Sequence, residues 1–200
     1  TDLFGTSARI VRETDFQLLL TATLFPVLGT ALVSPVLDSL IAPLDTTSAS
    51  IGLMISSFTA PAIVMIPITG LLADRYSRKL VLTGSIALFG LAGTAIAFTT
   101  DFFLVLILRF LQGIGFAGTT PIIITIIADL YDGEEEATGQ GLRFMISGLS
   151  GAVFPLVAGA LVLIAWRYPF FLYALAVPVA LSVHRWFDEP TLTTSNRTRE

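Results

Sequence analysis

The chain has 200 residues, of which 54% are hydrophobic and 13% charged, with a formal net charge of −4 and a mean hydropathy of +0.83. Soluble domains carry about 25% charged residues, so this composition indicates a membrane protein, and the acidic balance argues against a nucleic-acid partner. There are no cysteines, which excludes disulfides, thiolate metal sites and Cys nucleophiles.

The charged residues divide the chain into lengths that compare with a bilayer, which a helix crosses in about 20 apolar residues. The first 14 residues, "TDLFGTSARIVRET", form a polar cytoplasmic lead-in without the apolar region of a signal peptide. Asp15 and Asp38 bracket 22 uncharged residues, Asp45 and Asp74 bracket 28, and Lys79 and Asp101 bracket 21. Asp101 and Asp129 bracket 27 broken only by Arg109, Arg143 and Arg167 bracket 23, and Arg167 and Arg185 bracket 17. The reading is an all-α membrane protein with six transmembrane helices in one domain over residues 15–187. The spans run over about 16–37, 47–73, 80–100, 102–129, 138–165 and 168–186, and a polar tail follows at 188–200. Pro26 and Pro35 in the first span, and Pro61 and Pro67 in the second, are expected to bend those helices.

Six spans place both termini on one side. That side holds nine of the eleven basic residues: Arg9, Arg12, Arg75, Arg78, Lys79, Arg143, Arg185, Arg197 and Arg199. Basic residues stay cytoplasmic, so a cell-membrane protein with both ends in the cytoplasm is expected. The loop between spans 2 and 3 then lies there as well. Asp74 ends span 2, where the helix dipole disfavours an anion, and Arg75, Arg78 and Lys79 are within reach to compensate it.

Arg109 is a charge inside a span, eight residues and about 12 Å past Asp101. Such a residue faces roughly 2.5–3.5 kcal/mol of insertion cost and usually meets a wet cavity or a partner. With Gln112 one turn away, a cavity role outweighs snorkelling to the headgroups. "GIGFAG", residues 113–118, satisfies G-x-G-x-x-G, but no strand precedes it. Gly113, Gly115 and Gly118 read instead as close helix packing, and Gly113, with Arg109, Gln112 and Asp38, is also a candidate for the cavity, substrate or coupling site. Gly148, Gly151, Pro155 and Gly159 in span 5 receive the same packing reading.

"GLLADRYSRKLVL", residues 70–82, resembles the loop between helices 2 and 3 of the major facilitator superfamily, G-x-x-x-D-R-x-G-R-[RK]. Gly70, Asp74, Arg75, Arg78 and Lys79 match, and Ser77 replaces a glycine of the tight turn. "RFLQGIGFAG" resembles the family's R-x-x-Q-G motif through Arg109, Gln112 and Gly113. "IADLYDGEEEATGQGLR" resembles the end of helix 4, and "AWRYPF" resembles the connection into helix 6. "GLSGAVFPLVAG" is similar to the antiporter motif G-P-x-x-G-G but keeps only Pro155 and Gly159, with Phe154 and Ala158 in place of two glycines.

The resemblance implies the N-terminal six-helix half, built of two inverted three-helix repeats, of a secondary transporter. It implies that the 2–3 loop is a conformational latch, in which Asp74 faces a helix of the other half and Arg78 pairs with Asp129. It also implies a small organic solute, with protons as a candidate coupling ion, in which case the titrating acid is Asp38, Asp129 or a residue of a missing partner. The partners are then the lipid bilayer and a second six-helix half, whether in the same polypeptide, a split partner or an identical chain. Drug or metabolite efflux leads. Metabolite or sugar uptake and a non-transporting assembly or regulatory subunit are the alternatives. No cofactor, metal or enzyme activity is expected, since neither H-E-x-x-H nor G-x-S-x-G occurs.

Overall fold

Each rod begins or breaks where the side chains dictate, as seen in a computed structural model that describes residues 9–187. The first eight lead-in residues and the tail at 188–200, with Arg197 and Arg199, lie outside the described residues. Helix α1 (Thr14–Leu40) is segmented into Thr14–Ala22, Leu24–Ala31, a tighter turn at Ser34–Val36, and Leu37–Leu40. Pro26 and Pro35 withhold two amide donors from it, and the Thr23 hydroxyl bonds back to the Leu19 carbonyl at 2.9 Å. Helix α2 (Ser48–Arg75) starts at the Thr47 side chain, which accepts from the Ser50 amide. It runs unbroken from Leu53 to Arg75 through Pro61 and Pro67.

Helix α3 (Arg78–Phe98) begins at Ser77, the position where the resemblance led us to expect glycine. The Ser77 backbone is extended at φ −175°, a conformation any residue adopts, and its hydroxyl accepts from the Leu80 amide at 3.1 Å. Serine is therefore a proper N-cap here, and the turn needs no glycine. Helix α4 (Phe102–Leu130) is capped by Asp101, whose carboxylate accepts from the Phe103 and Leu104 amides at 2.8 and 3.1 Å. Helix α5 (Glu134–Val162) starts after Gly133, at φ +58°. Glu134, Glu135 and Glu136 fill its first turn, where the dipole favours anions, so the helix begins before the expected residue 138. Helix α6, residues 168–186, is assembled from Tyr168–Phe171, a tighter turn Leu172–Leu175, and Ala176–Trp186.

Five of these helices, α1 to α5, are long and apolar enough to cross a membrane. Small residues let them approach closely, which matters where lipid offers no hydrophobic drive. A side chain on Gly113 would meet the α2 backbone at Phe58, and one on Gly115 would lie 2.6 Å from the Phe89 amide and 2.7 Å from the Ser85 carbonyl of α3. Gly118 abuts Ser85, and Gly90 of α3 leaves room for Ala176 of α6. Helix α4 is thus wedged between α2 and α3, α6 backs α3, and α5 lies on α1. The core centres on Phe16, Phe25, Phe89, Phe170 and Tyr173.

Helix α5 departs from this pattern. Only 11% of its most apolar stretch is buried, against 56% in α1. Nothing lies within 4 Å of a side chain built on Gly148 or Gly159, and Gly151 would touch only Val27, at 3.9 Å. The expected packing role for these three glycines is therefore not met within this bundle. They sit on a helix that presents most of its surface outward, with Leu149, Leu156 and Leu163 well exposed.

Candidate functional site

Among the described residues, three polar constellations interrupt the apolar bundle. The first closes the end where α2 meets α3. The Arg78 guanidinium ion-pairs with the Asp129 carboxylate of α4, with side chains only 15% and 22% exposed. Its other terminal nitrogen lies 3.9 Å from the Asp74 carboxylate, which is 72% exposed. A cavity of about 180 Å³ opens beside them, bounded by Gly70, Ala73, Pro121, Ile122 and Thr125. A side chain on Gly70 would meet nothing. Arg75 is exposed, and neither it nor Lys79 forms an ion pair among the described residues. At the same end the lead-in is tied down. Arg9 donates to Glu135 at 2.5 Å and Tyr131 donates to Glu13 at 2.6 Å. Burial first, and then the Glu13 hydrogen bond, push the Tyr131 phenol well above its usual pKa, so it remains a neutral donor at physiological pH.

The second constellation surrounds Arg109, which is 2% exposed. Its Nε donates to the Met54 carbonyl of α2 at 3.2 Å. Nη1 donates to Gln112 Oε1 at 2.6 Å, and Nη2 to the Gly29 carbonyl of α1 at 3.4 Å. The Phe58 ring lies 4.4 Å below the guanidinium, and Tyr173 of α6 donates to the Leu28 carbonyl at 3.5 Å. Arg109 therefore neither faces an open cavity nor snorkels. It is enclosed, its charge spread over carbonyl dipoles and an aromatic face, and it ties α1, α2 and α4 together. Gln112 is fully buried beside it. Gly113 supports the cluster by letting Phe58 approach.

The third constellation was missed in the sequence. Arg143 looked like one of the cytoplasmic cations that set topology. It lies instead inside α5, 6% exposed, against a cavity of about 190 Å³ between α1, α4 and α5. Thr23, Pro26, Val27 and Thr30 of α1 form one wall, Phe116, Thr120 and Ile123 of α4 another, and Ser147 sits one turn beyond Arg143. The available signal was the spacing of Arg143 from Glu136, since seven residues, about 10 Å of helix, already carry it into the span. Asp38 is not part of any of these groups. It is exposed near the far end of α1, away from Arg109, which contacts α1 at Gly29.

Comparison with known proteins now decides the family. The model described as Major Facilitator Superfamily matches residues 19–200. The chain belongs to this superfamily. Its members are membrane transporters, not enzymes. The bacillibactin exporter of Bacillus subtilis is 36% identical over 147 residues, covering 70% of this chain and 36% of the relative. The quinolone resistance protein NorA of Staphylococcus aureus is 26% identical over 144 residues, covering 72% of this chain and 37% of the relative. The chain thus spans little more than a third of these relatives.

Among solved structures, a bacterial homolog of the human lysosomal transporter Spinster superposes in two inward-facing states. The unoccupied state gives a TM-score of 0.77 at 20% identity, covering 93% of this chain and 44% of the other. The occupied state gives 0.79 at 21% identity, covering 92% and 46%.

Proposed function

We propose that this chain is the N-terminal six-helix half of a secondary transporter that exports a small organic solute by alternating access. The observation that carries the reading is the half-finished charge network at Gly70, Asp74, Arg78 and Asp129. Arg78 is drawn to the less exposed Asp129, which leaves Asp74 exposed at the end of α2, where the helix dipole disfavours it. An opposing helix N-terminus docked against the space beside Gly70 supplies the missing favourable partner, and only when the halves close at that end. Such a contact biases one of two states by its differential energy.

Export rather than uptake is supported by the names of the relatives above, an exporter and a drug-resistance protein. The same reading puts both termini in the cytoplasm and makes a second six-helix half the partner. Protons are its coupling ion. No carboxylate lies within the described part of the membrane path, so Asp129 or an acid of the second half carries the proton.

The test is Asp74→Asn in the complete transporter. Loss of gradient-driven efflux of whichever of ethidium, a cation, and fluorescein, an anion, the original protein exports, with changed accessibility of cysteines introduced on the cytoplasmic side, is the expected result. Unchanged efflux together with unchanged labelling refutes the latch.

A further inference from the structure

The Arg143 cavity presents donors that the described residues leave unused. Arg143 uses only Nε internally, donating to Gln140 Oε1 at 3.0 Å, while the Phe144 ring lies 4.5 Å from the guanidinium carbon. Its two terminal nitrogens make no hydrogen bond among the described residues, and no carboxylate lines the cavity. Thr120 and Ser147 also present hydroxyls that make no hydrogen bond among the described residues. Thr23 and Thr30, by contrast, are committed to their own helix backbone.

Arg109 shows that this bundle can satisfy an intramembrane guanidinium internally. At Arg143 it does not. The side chain is aligned by Gln140 and Phe144, so its planar fork is held ready, and such a fork matches an anionic oxygen pair.

We propose that Arg143, with Ser147 and Thr120, binds the carboxylate or equivalent anionic group of the exported solute. The inference rests on the transporter reading and names its substrate class. The cavity, at about 190 Å³, is smaller than the roughly 300–1,000 Å³ that encloses a drug-sized molecule. It accommodates the charged end, with Pro26, Val27 and Phe116 packing the adjoining apolar portion, and the remainder of the solute lies between the halves. Cationic solutes are disfavoured at this position by the unpaired positive charge.

The test uses two probes matched in shape, benzoate and its neutral amide benzamide, with thermal melting of the complete transporter in detergent. Benzoate is expected to raise the melting temperature saturably and benzamide is not. Arg143→Gln is expected to weaken the benzoate response about tenfold or more, the loss typical of a charge-assisted hydrogen bond, and Ser147→Ala about threefold. Equal responses to the two probes, or an Arg143→Gln protein that responds like the original, overturn the proposal. If Arg143→Gln fails to fold, Ser147→Ala and Thr120→Ala decide in its place: an unchanged benzoate response in both overturns the site.

A lipid phosphate offers the same oxygens, so the titration is repeated in phosphatidylcholine with and without phosphatidylglycerol. A benzoate response that survives phosphatidylglycerol supports the solute site. Its abolition assigns Arg143 to lipid and overturns the site. Gradient-driven export of ethidium, a cation, and of fluorescein, an anion, by the unmodified protein separates the two readings. Export of either dye without a benzoate response sinks the anion site alone, and a charge-selective benzoate response without export of either dye sinks the transport reading alone.

Discussion

Arg109 and Arg143 each place a guanidinium inside an apolar helix, and the bundle treats them in opposite ways. Around Arg109, every nitrogen reaches an acceptor on α1, α2 or α4, and an aromatic face covers the rest. Around Arg143, one nitrogen is satisfied and the others look into a cavity. A charge with a complete set of partners is a structural tie, because removing it strands buried acceptors. A charge held in position without such a set is available to a ligand. Depth in the membrane does not separate the two roles. The count of partners does.

The largest effect tests the tie. Arg109→Ala removes the guanidinium shared by Gln112 and the Met54 and Gly29 carbonyls from a buried position, and is expected to lower stability by about 3 kcal/mol and to abolish transport. Arg109→Lys recovers only part of this, since a point charge on a flexible stem does not reach three acceptors in different directions. Melting in detergent measures both. If Arg109→Ala melts like the original protein, the enclosed cluster is not a tie.

Next come the glycines, which contrast the packed α3–α4 seam with the open α5. Gly115→Val drives a side chain into the α3 backbone and is expected to destabilise by about 1–3 kcal/mol. Gly148→Ala meets open space and is expected to leave melting unchanged, so a loss of transport on that substitution would support contact with the second half proposed above. A smaller stability effect, under about 1 kcal/mol, is expected for Arg143→Gln. An arginine without a full partner set contributes little to the fold, and a large melting shift would move Arg143 into the class of Arg109.

The smallest effect concerns Tyr131. Tyr131→Phe removes one hydrogen bond to Glu13 and is expected to destabilise by about 1 kcal/mol. The pKa of the phenol is raised in the folded state, so folding favours its protonated form. That contribution is complete below the ordinary tyrosine value of about 10 and is lost only as pH rises beyond it. A melting profile from pH 6 to 9 should therefore be flat for this group, and a step in that range, absent in Tyr131→Phe, would contradict it.

Much of this was legible in the residues. Uncharged runs of bilayer length located the helices, and the Gly70–Lys79 loop and Arg109-Phe110-Leu111-Gln112-Gly113 carried the family. The less legible parts are the ones where a side chain's neighbours come from distant segments. Gly148 and Gly159 read like Gly115 because a glycine in an apolar run looks the same whether its face meets a helix or nothing. Arg143 read as a topology marker because its neighbours Glu134 to Glu136 are at the helix end, and the sequence does not say that α1 and α4 wall it in. Ser77 read only as a replaced glycine because the extended conformation of that residue and its cap to Leu80 depend on how the chain leaves α2.

Residue order alone was enough to establish a bundle of membrane-length helices of the Major Facilitator type. Hydropathy and charge spacing act along the chain and need no tertiary partner. Which arginine is enclosed and which is open, and which glycines are packed, emerged from the assembled helices. Those distinctions depend on the acceptors and surfaces that other helices bring to within a few ångströms, and linear spacing carries no information about them.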